Sequence, residues 1–336
     1  SKIYIKKRFS KVYKLNMKIL AVQNRMGIGD TIIFLPFIEA LYQKFKCPIN
    51  LLVKESSKAD QYLDQTKYID QIIYLERDKK NNSRHDGFFG SLNLINDLKK
   101  YKFDKIFIFN SSLRFQLVAR LSGISEIYQY PLFNKYKQHI INTPRKFIKD
   151  NLDIEVTDDP KIQLNKDLTS KTIKEFKIDQ KKTNILLGIG GSGPTKRIPA
   201  ETFLEFMQKV SNIKDCKFFL ATGKSNEEQN LLNHILNSKF NKQCISLDNL
   251  SIRETLPIIK NCDISVCNDT GFGHLSAALG IKTITLMADA PLVYGNYSSK
   301  MFPIIPDGET IVTHRTNGKD KINPNKILEK FLEIIN

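Results

Sequence analysis

Residues 268–280, NDTGFGHLSAALG, place a carboxylate, a hydroxyl, a glycine and, about one helical turn later, a histidine at the exit of the short β-rich run DISVC (263–267). An ordinary strand-to-helix turn needs only a cap and a glycine, so the extra polar groups point to ligand chemistry. Asp269, Thr270 and Gly271 fall at the amino end of the next helix. Free N–H groups and the positive end of the helix dipole attract anions there. Thr270 adds a hydroxyl donor, and His274 is placed to face the same ligand, although a histidine beside Leu275 and Ala277 would ordinarily be a core residue. A phosphate repels a carboxylate, so Asp269 is expected to accept hydrogen bonds from loop amides or to order the cleft.

Three other strand ends carry related chemistry. In LLGIGGSGPTKRIP (186–199) a strand runs into Gly188, Gly190, Gly191 and Gly193, with Ser192 among them and Thr195, Lys196 and Arg197 following. Exposed amides beside adjacent cations suit a diphosphate, while the spacing is not that of a Walker loop. In NRMGIGDTIIFLP (24–36) Gly27 and Gly29 allow a sharp turn and Asp30 opens a helix, either as an N-cap or as a functional carboxylate. In ATGKSNEEQN (221–230) Glu227 and Glu228 could accept ribose hydroxyls or simply complement a helix dipole.

The elements that must position these turns alternate. KILAVQN (18–24), NLLVK (50–54), QIIYL (71–75) and KIFIF (105–109) are strand-like runs separated by helical patterns. A second series follows with NILLGIG (184–190), FFLATG (218–223), CISL (244–247), DISVC (263–267) and TITLM (283–287). Such alternation predicts parallel βαβ units. The fold class expected is α/β, with two Rossmann-like doubly wound domains facing a central cleft and ligands bound at the carboxyl ends of the strands. The expected organisation is a basic extension (1–16), an N-terminal domain (17–165), a linker at about 155–182 and a C-terminal domain (183–336). The last helix, opened by Pro324, is expected to return to the N-terminal domain. The polar loop KNNSRHDGFFG (80–90) interrupts the first series as if it covered a site.

A net charge of +17 follows from heavy lysine use throughout and by itself names no partner. No nucleic-acid module is recognisable. The five cysteines show neither CxxC nor zinc spacing, so reduced thiols and no metal site are expected. No apolar run is long enough to span a membrane and no secretory signal is evident, which favours a cytoplasmic protein. The first eighteen residues hold seven basic side chains and no acid, interleaved with Ile5, Phe9, Val12 and Tyr13. Two readings stand: an amphipathic helix lying on the anionic inner-membrane surface, or a solvated extension.

MGIGDTIIFLPFIEALYQKF, GGSGPTKRIPAETFLEF and NDTGFGHLSAALGIKTITL resemble, in order and spacing, the signature regions of the ADP-heptose:lipopolysaccharide heptosyltransferases, glycosyltransferase family 9. The resemblance implies a GT-B architecture, with the donor on the C-terminal domain and the acceptor on the other. It also implies inverting transfer without a metal cofactor. It assigns Asp30 as general base and Lys196, Thr270 and Gly271 to the donor diphosphate; Arg197 and Ser192 lie in the same loop. Asp269 and His274 support that site, and Glu227 loosely matches a ribose-binding glutamate. The implied partners are a nucleotide-sugar, first guess ADP-heptose, and a lipid-linked saccharide such as the lipopolysaccharide core.

Three departures stand out. Ile198 replaces a frequent tryptophan, MADAPLVYG (287–295) replaces the usual segment after the last strand, and sixteen residues precede the usual start. No Asp-x-Asp triplet occurs, so leaving-group charge would fall to Lys196, Arg197 and the helix end. Alternatives within reach of the sequence are a nucleotide-sugar epimerase and a non-catalytic nucleotide binder.

Overall fold

The computed structural model describes residues 3–5 (backbone only), 17–77, 83–132, 138–191 and 193–335. The chain divides into two compact units, Ser1–Gln163 and Leu164–Asn336.

The first unit runs β1 (Ile3–Ile5), β2 (Ile19–Gln23), α1 (Gly27–Phe45), β3 (Ile49–Lys54), β4 (Ile69–Leu75), α2 (Gly87–Lys99), β5 (Lys105–Ile108), α3 (Leu113–Leu121), β6 (Glu126–Gln129) and α4 (Asn142–Leu152). Its sheet has the order β1-β4-β3-β2-β5-β6, all parallel except β1, which pairs antiparallel with β4 and sets Ile3 opposite Ile73. β2 and β3 are buried along almost their whole length, which is why their sequences read as continuous apolar runs. Residues 3–5 are thus a strand, where the sequence left a choice between amphipathic helix and loose extension. Ile-Tyr-Ile favours a strand. Phe9, Val12 and Tyr13, the rest of the expected helical face, lie outside the described residues.

The second unit runs α5 (Lys166–Glu175), β7 (Thr183–Gly188), α6 (Ala200–Ser211), β8 (Cys216–Ala221), α7 (Asn226–Leu236), β9 (Cys244–Ser246), α8 (Ile252–Lys260), β10 (Ile264–Asn268), α9 (Gly271–Ala278), β11 (Lys282–Leu286), α10 (Val293–Asn296), β12 (Met301–Ile304) and α11 (Pro324–Ile335). Its sheet is wholly parallel in the order β12-β11-β10-β7-β8-β9, the doubly wound dinucleotide-fold order. The order reverses between β7 and β10. In the first unit it reverses between β2 and β5. Loops leaving these strands therefore line the crevice where ligands of such sheets bind.

One expectation changes. α5 packs on α8, so the stretch expected as linker contributes a helix to the second unit. The last helix, α11, packs on α6, β11 and β12, and Ile327, Phe331 and Ile334 are buried in its own unit's core. No helix among the described residues is long and apolar enough to cross a membrane.

Candidate active site

In the first unit β2 ends at Gln23 and the chain turns through Asn24–Met26 into α1. Gly27 takes φ +93°, a left-handed conformation that favours glycine, whereas Gly29 lies within the first helical turn and is not left-handed. The helix begins at Gly27, earlier than expected, because the left-handed glycine completes the turn. Asp30 is therefore not the cap; Met26 holds that position without a capping side chain. The Asp30 carboxylate, 20% exposed, accepts from Arg25 Nε at 3.2 Å. Across the switch point, Asn110 Nδ2 donates to Asn24 Oδ1 at 3.2 Å.

The polar loop before α2 holds a strut. His85 is buried, and its Nδ1 accepts the Glu76 N–H at 3.0 Å. The ring proton is thereby left on Nε2, facing Asp97 Oδ2 at 3.2 Å. Arg84 and Lys100 also bind that carboxylate. Burial raises the Asp97 pKa, but these partners outweigh it and hold the group far below the usual range. Burial also lowers the His85 pKa, so the ring is neutral near neutrality.

In the second unit the expected phosphate residues converge. A Cβ placed on Gly191 would come within 3.3 Å of Arg197 Cγ, 3.6 Å of Thr270 Cγ2 and 3.9 Å of Lys196 Cβ. The loop after β7 and the start of α9 thus meet around one glycine. Lys196 Nζ lies 2.5 Å from Asp269 Oδ2, and His274 Nε2 lies 3.7 Å from Asp269 Oδ1. Among the described residues the partners of Asp269 are the Lys196 and His274 side chains, so of the two roles expected of it the ordering of the cleft is the one these contacts serve. The Asp269 side chain is 8% exposed. Its burial raises the pKa, yet His274 and Lys196 pull it down to about 2. His274 Nδ1 meets the Tyr297 hydroxyl at 2.7 Å, with the two rings stacked. Thr270 caps α9 by position only: its Oγ1 is buried without a hydrogen-bond partner among the described residues. Thr222 Oγ1 and Asn268 Oδ1, at the ends of β8 and β10, share that state. Ser192 lies outside the described residues.

The sequence profile of glycosyltransferase family 9 (heptosyltransferase) matches residues 94–330. The chain belongs to glycosyltransferase family 9. It is 22% identical over 330 residues to a lipopolysaccharide heptosyltransferase 1 from Campylobacter coli, covering 88% of this chain and 91% of the relative. The fold matches a family 9 glycosyl transferase from Veillonella parvula with TM-score 0.78 and 16% identity, over 97% of this chain and 99% of the other. It also matches the ADP-heptose lipopolysaccharide heptosyltransferase II of E. coli with TM-score 0.71 and 19% identity, over 95% and 98%. These matches place the two units in the GT-B fold class. As a family 9 member the chain is a glycosyltransferase, which sets the epimerase reading aside.

Two residues near these loops, Asp289 and Tyr297, escaped the sequence reading, and Glu228 was named only beside Glu227. Glu228, not Glu227, is built into the loops: its Oε1 accepts Gly191 N–H at 2.9 Å and Gly223 N–H at 3.2 Å, and its Oε2 accepts from Ser225. Burial raises the Glu228 pKa, but these donors leave it below the ordinary value. A readable signal existed, because Ser225 and Glu228 form a capping box at the start of α7. Glu227 points away, 71% exposed, with Arg197 Nη1 at 3.7 Å. Asp289 is buried and accepts Asn317 N–H at 2.8 Å, tying the loop after β11 to a distant turn. Tyr297 had no local signal. Among the described residues no group of three or more His, Cys, Asp and Glu side chains is arranged to hold a metal ion.

Proposed function

We propose that this enzyme is an inverting, metal-independent heptosyltransferase that moves the sugar of ADP-heptose onto a lipopolysaccharide core or related lipid-linked saccharide. The second unit takes the donor and the first takes the acceptor. The observation that carries the donor assignment is the meeting of Lys196, Arg197 and Thr270 around Gly191, at the point where the second sheet reverses its strand order. The Thr270 hydroxyl, without a hydrogen-bond partner among the described residues, adds a donor there. The first N–H groups of α9 are donors that a helix start leaves without intrahelical partners. ADP-heptose as donor is supported by the name of the E. coli structural relative, and the lipopolysaccharide acceptor by the names of both heptosyltransferases.

In the reaction the acceptor oxygen attacks the anomeric carbon while its proton passes to the Asp30 carboxylate. The bond from that carbon to the diphosphate oxygen breaks, its electron pair stays with the leaving diphosphate, and the configuration inverts. Lys196, Arg197 and the α9 amino end hold the charge that develops on the leaving group. Asp30 acts through position more than basicity. Calorimetric titration with ADP, UDP and GDP in EDTA tests the reading. ADP is expected to bind, and binding confined to UDP or GDP would change the donor. Failure of every nucleotide to bind without metal would remove the metal-independent site.

A further inference from the structure

α2 and α3 lie on the same face of the first sheet and share one core cluster. Arg114 donates to the His85 carbonyl beside the start of α2, and Ser122 Oγ, just past α3, reaches the Ile95 carbonyl at 3.4 Å. These two bonds set the helices side by side, running the same way. Their inner faces are occupied by Leu94, Ile95 and Leu98 on one and Phe115, Val118 and Ala119 on the other.

Their outer faces are apolar as well. Phe88 and Phe89, on the first turn of α2, are 75% and 78% exposed and touch edge to face. Leu92 follows on α2, and Leu113, Leu117 and Leu121 form an exposed i, i+4, i+8 stripe on α3. Scattered exposed leucines need no explanation, but two phenylalanines exposed and in contact, on a helix packed beside an exposed leucine stripe, mark a binding surface.

The rim of this surface is cationic. Arg84, Lys99, Lys100 and Arg120, on or beside the same two helices, are exposed, and Asp97 neutralises only part of that charge. A two-fold pairing of copies would bring the same patch against itself and oppose like charges. A uniformly anionic plane satisfies the rim and the apolar centre at once.

We propose that this face rests on an anionic lipid bilayer, with Phe88 and Phe89 entering the headgroup boundary and the α3 leucines beside them. The inference deepens the reading of a lipid-linked acceptor and rests on it for its biological purpose, although lipid binding itself requires neither donor nor acceptor.

Co-sedimentation of the full chain with acceptor-free vesicles provides the test. Vesicles of phosphatidylethanolamine and phosphatidylglycerol are expected to bind the protein, pure phosphatidylcholine far less, and added salt to weaken the binding. F88S/F89S should reduce binding at least about tenfold, and L117S/R120E should lower it as well. ADP titration of each variant verifies folding independently. The proposal is overturned if F88S/F89S binds vesicles normally while replacement of the seven basic residues within 1–18 abolishes binding. It is also overturned if the wild type ignores vesicles and instead forms a dimer that F88S/F89S dissolves. Vesicle binding without any ADP binding would sink the donor assignment and leave the bilayer surface standing.

Discussion

The carboxyl edges of the two sheets follow the same topological rule and are finished differently. In the second unit the charged and polar groups are wired together: Glu228 joins two loops through their amides, Asp269 holds Lys196 and His274, and Tyr297 backs the histidine. At the first unit's edge Arg25 pairs with a partly exposed Asp30, and the remaining links are uncharged amides: Asn110 donates to Asn24, and Gln129 to the Asn110 and Ser112 carbonyls. On the proposed assignment the second unit takes a diphosphate, a fixed anionic shape that a preorganised frame suits. A saccharide hydroxyl needs one positioned base and room for a large, variable body.

Mutations can break this contrast. The largest effect is expected for Asp30→Asn, which should lower kcat by about a thousandfold while leaving ADP affinity unchanged. Near-normal turnover would remove the first unit's carboxylate from the chemistry. Lys196→Ala should weaken ADP binding about a hundredfold, because it also strands the buried Asp269 charge; calorimetry reads it directly. Glu228→Ala should cost about 2 kcal/mol of stability through the orphaned Gly191 and Gly223 amides, measured by denaturant unfolding.

A pH series sharpens the comparison further. The folded Asp269 pKa, about 2, lies below the ordinary carboxyl value. Its stabilising contribution is therefore complete above roughly pH 5 and lost as pH falls toward 2, amounting to about 2 kcal/mol. Thermal melts over that range should fall more steeply for wild type than for Asp269→Asn. Parallel curves would mean that the pair does not stabilise the fold. The smallest effect is expected for Glu227→Ala, an exposed partner of Arg197, with a change in ADP affinity under about twofold. A tenfold loss would restore Glu227 as a ribose ligand.

What could be read from the sequence follows physical lines. Buried parallel strands carry unbroken β-branched runs, so β2, β7 and β10 were readable to within a residue or two. β6 was not, since its four residues are partly exposed and polar at both ends, and β12 hides Pro303 in an edge strand. Gly191, Lys196, Arg197 and Thr270 were legible because glycine and cation chemistry at a strand end is local. Tyr297 lies 23 residues from His274, and Asn317 lies 28 from Asp289. Partnerships over such distances are set by tertiary packing and leave no mark in a local window. Between Glu227 and Glu228 the decision is one of helix rotation: one residue turns the carboxylate from water to the loops, and only the capping box distinguishes them.

The contact between Lys196 and Asp269 bears on how the enzyme lets go. A cation strong enough to stabilise a departing diphosphate would, if isolated, keep the spent nucleotide and stall turnover. Here the aspartate waits at 2.5 Å as an internal competitor for the same ammonium group. If Lys196 holds the diphosphate as proposed, each departing product is replaced by a carboxylate, and the lysine does not face the low-dielectric interior unpaired. Affinity for the nucleotide is lowered by the strength of that replacement, and escape is made easier by the same amount.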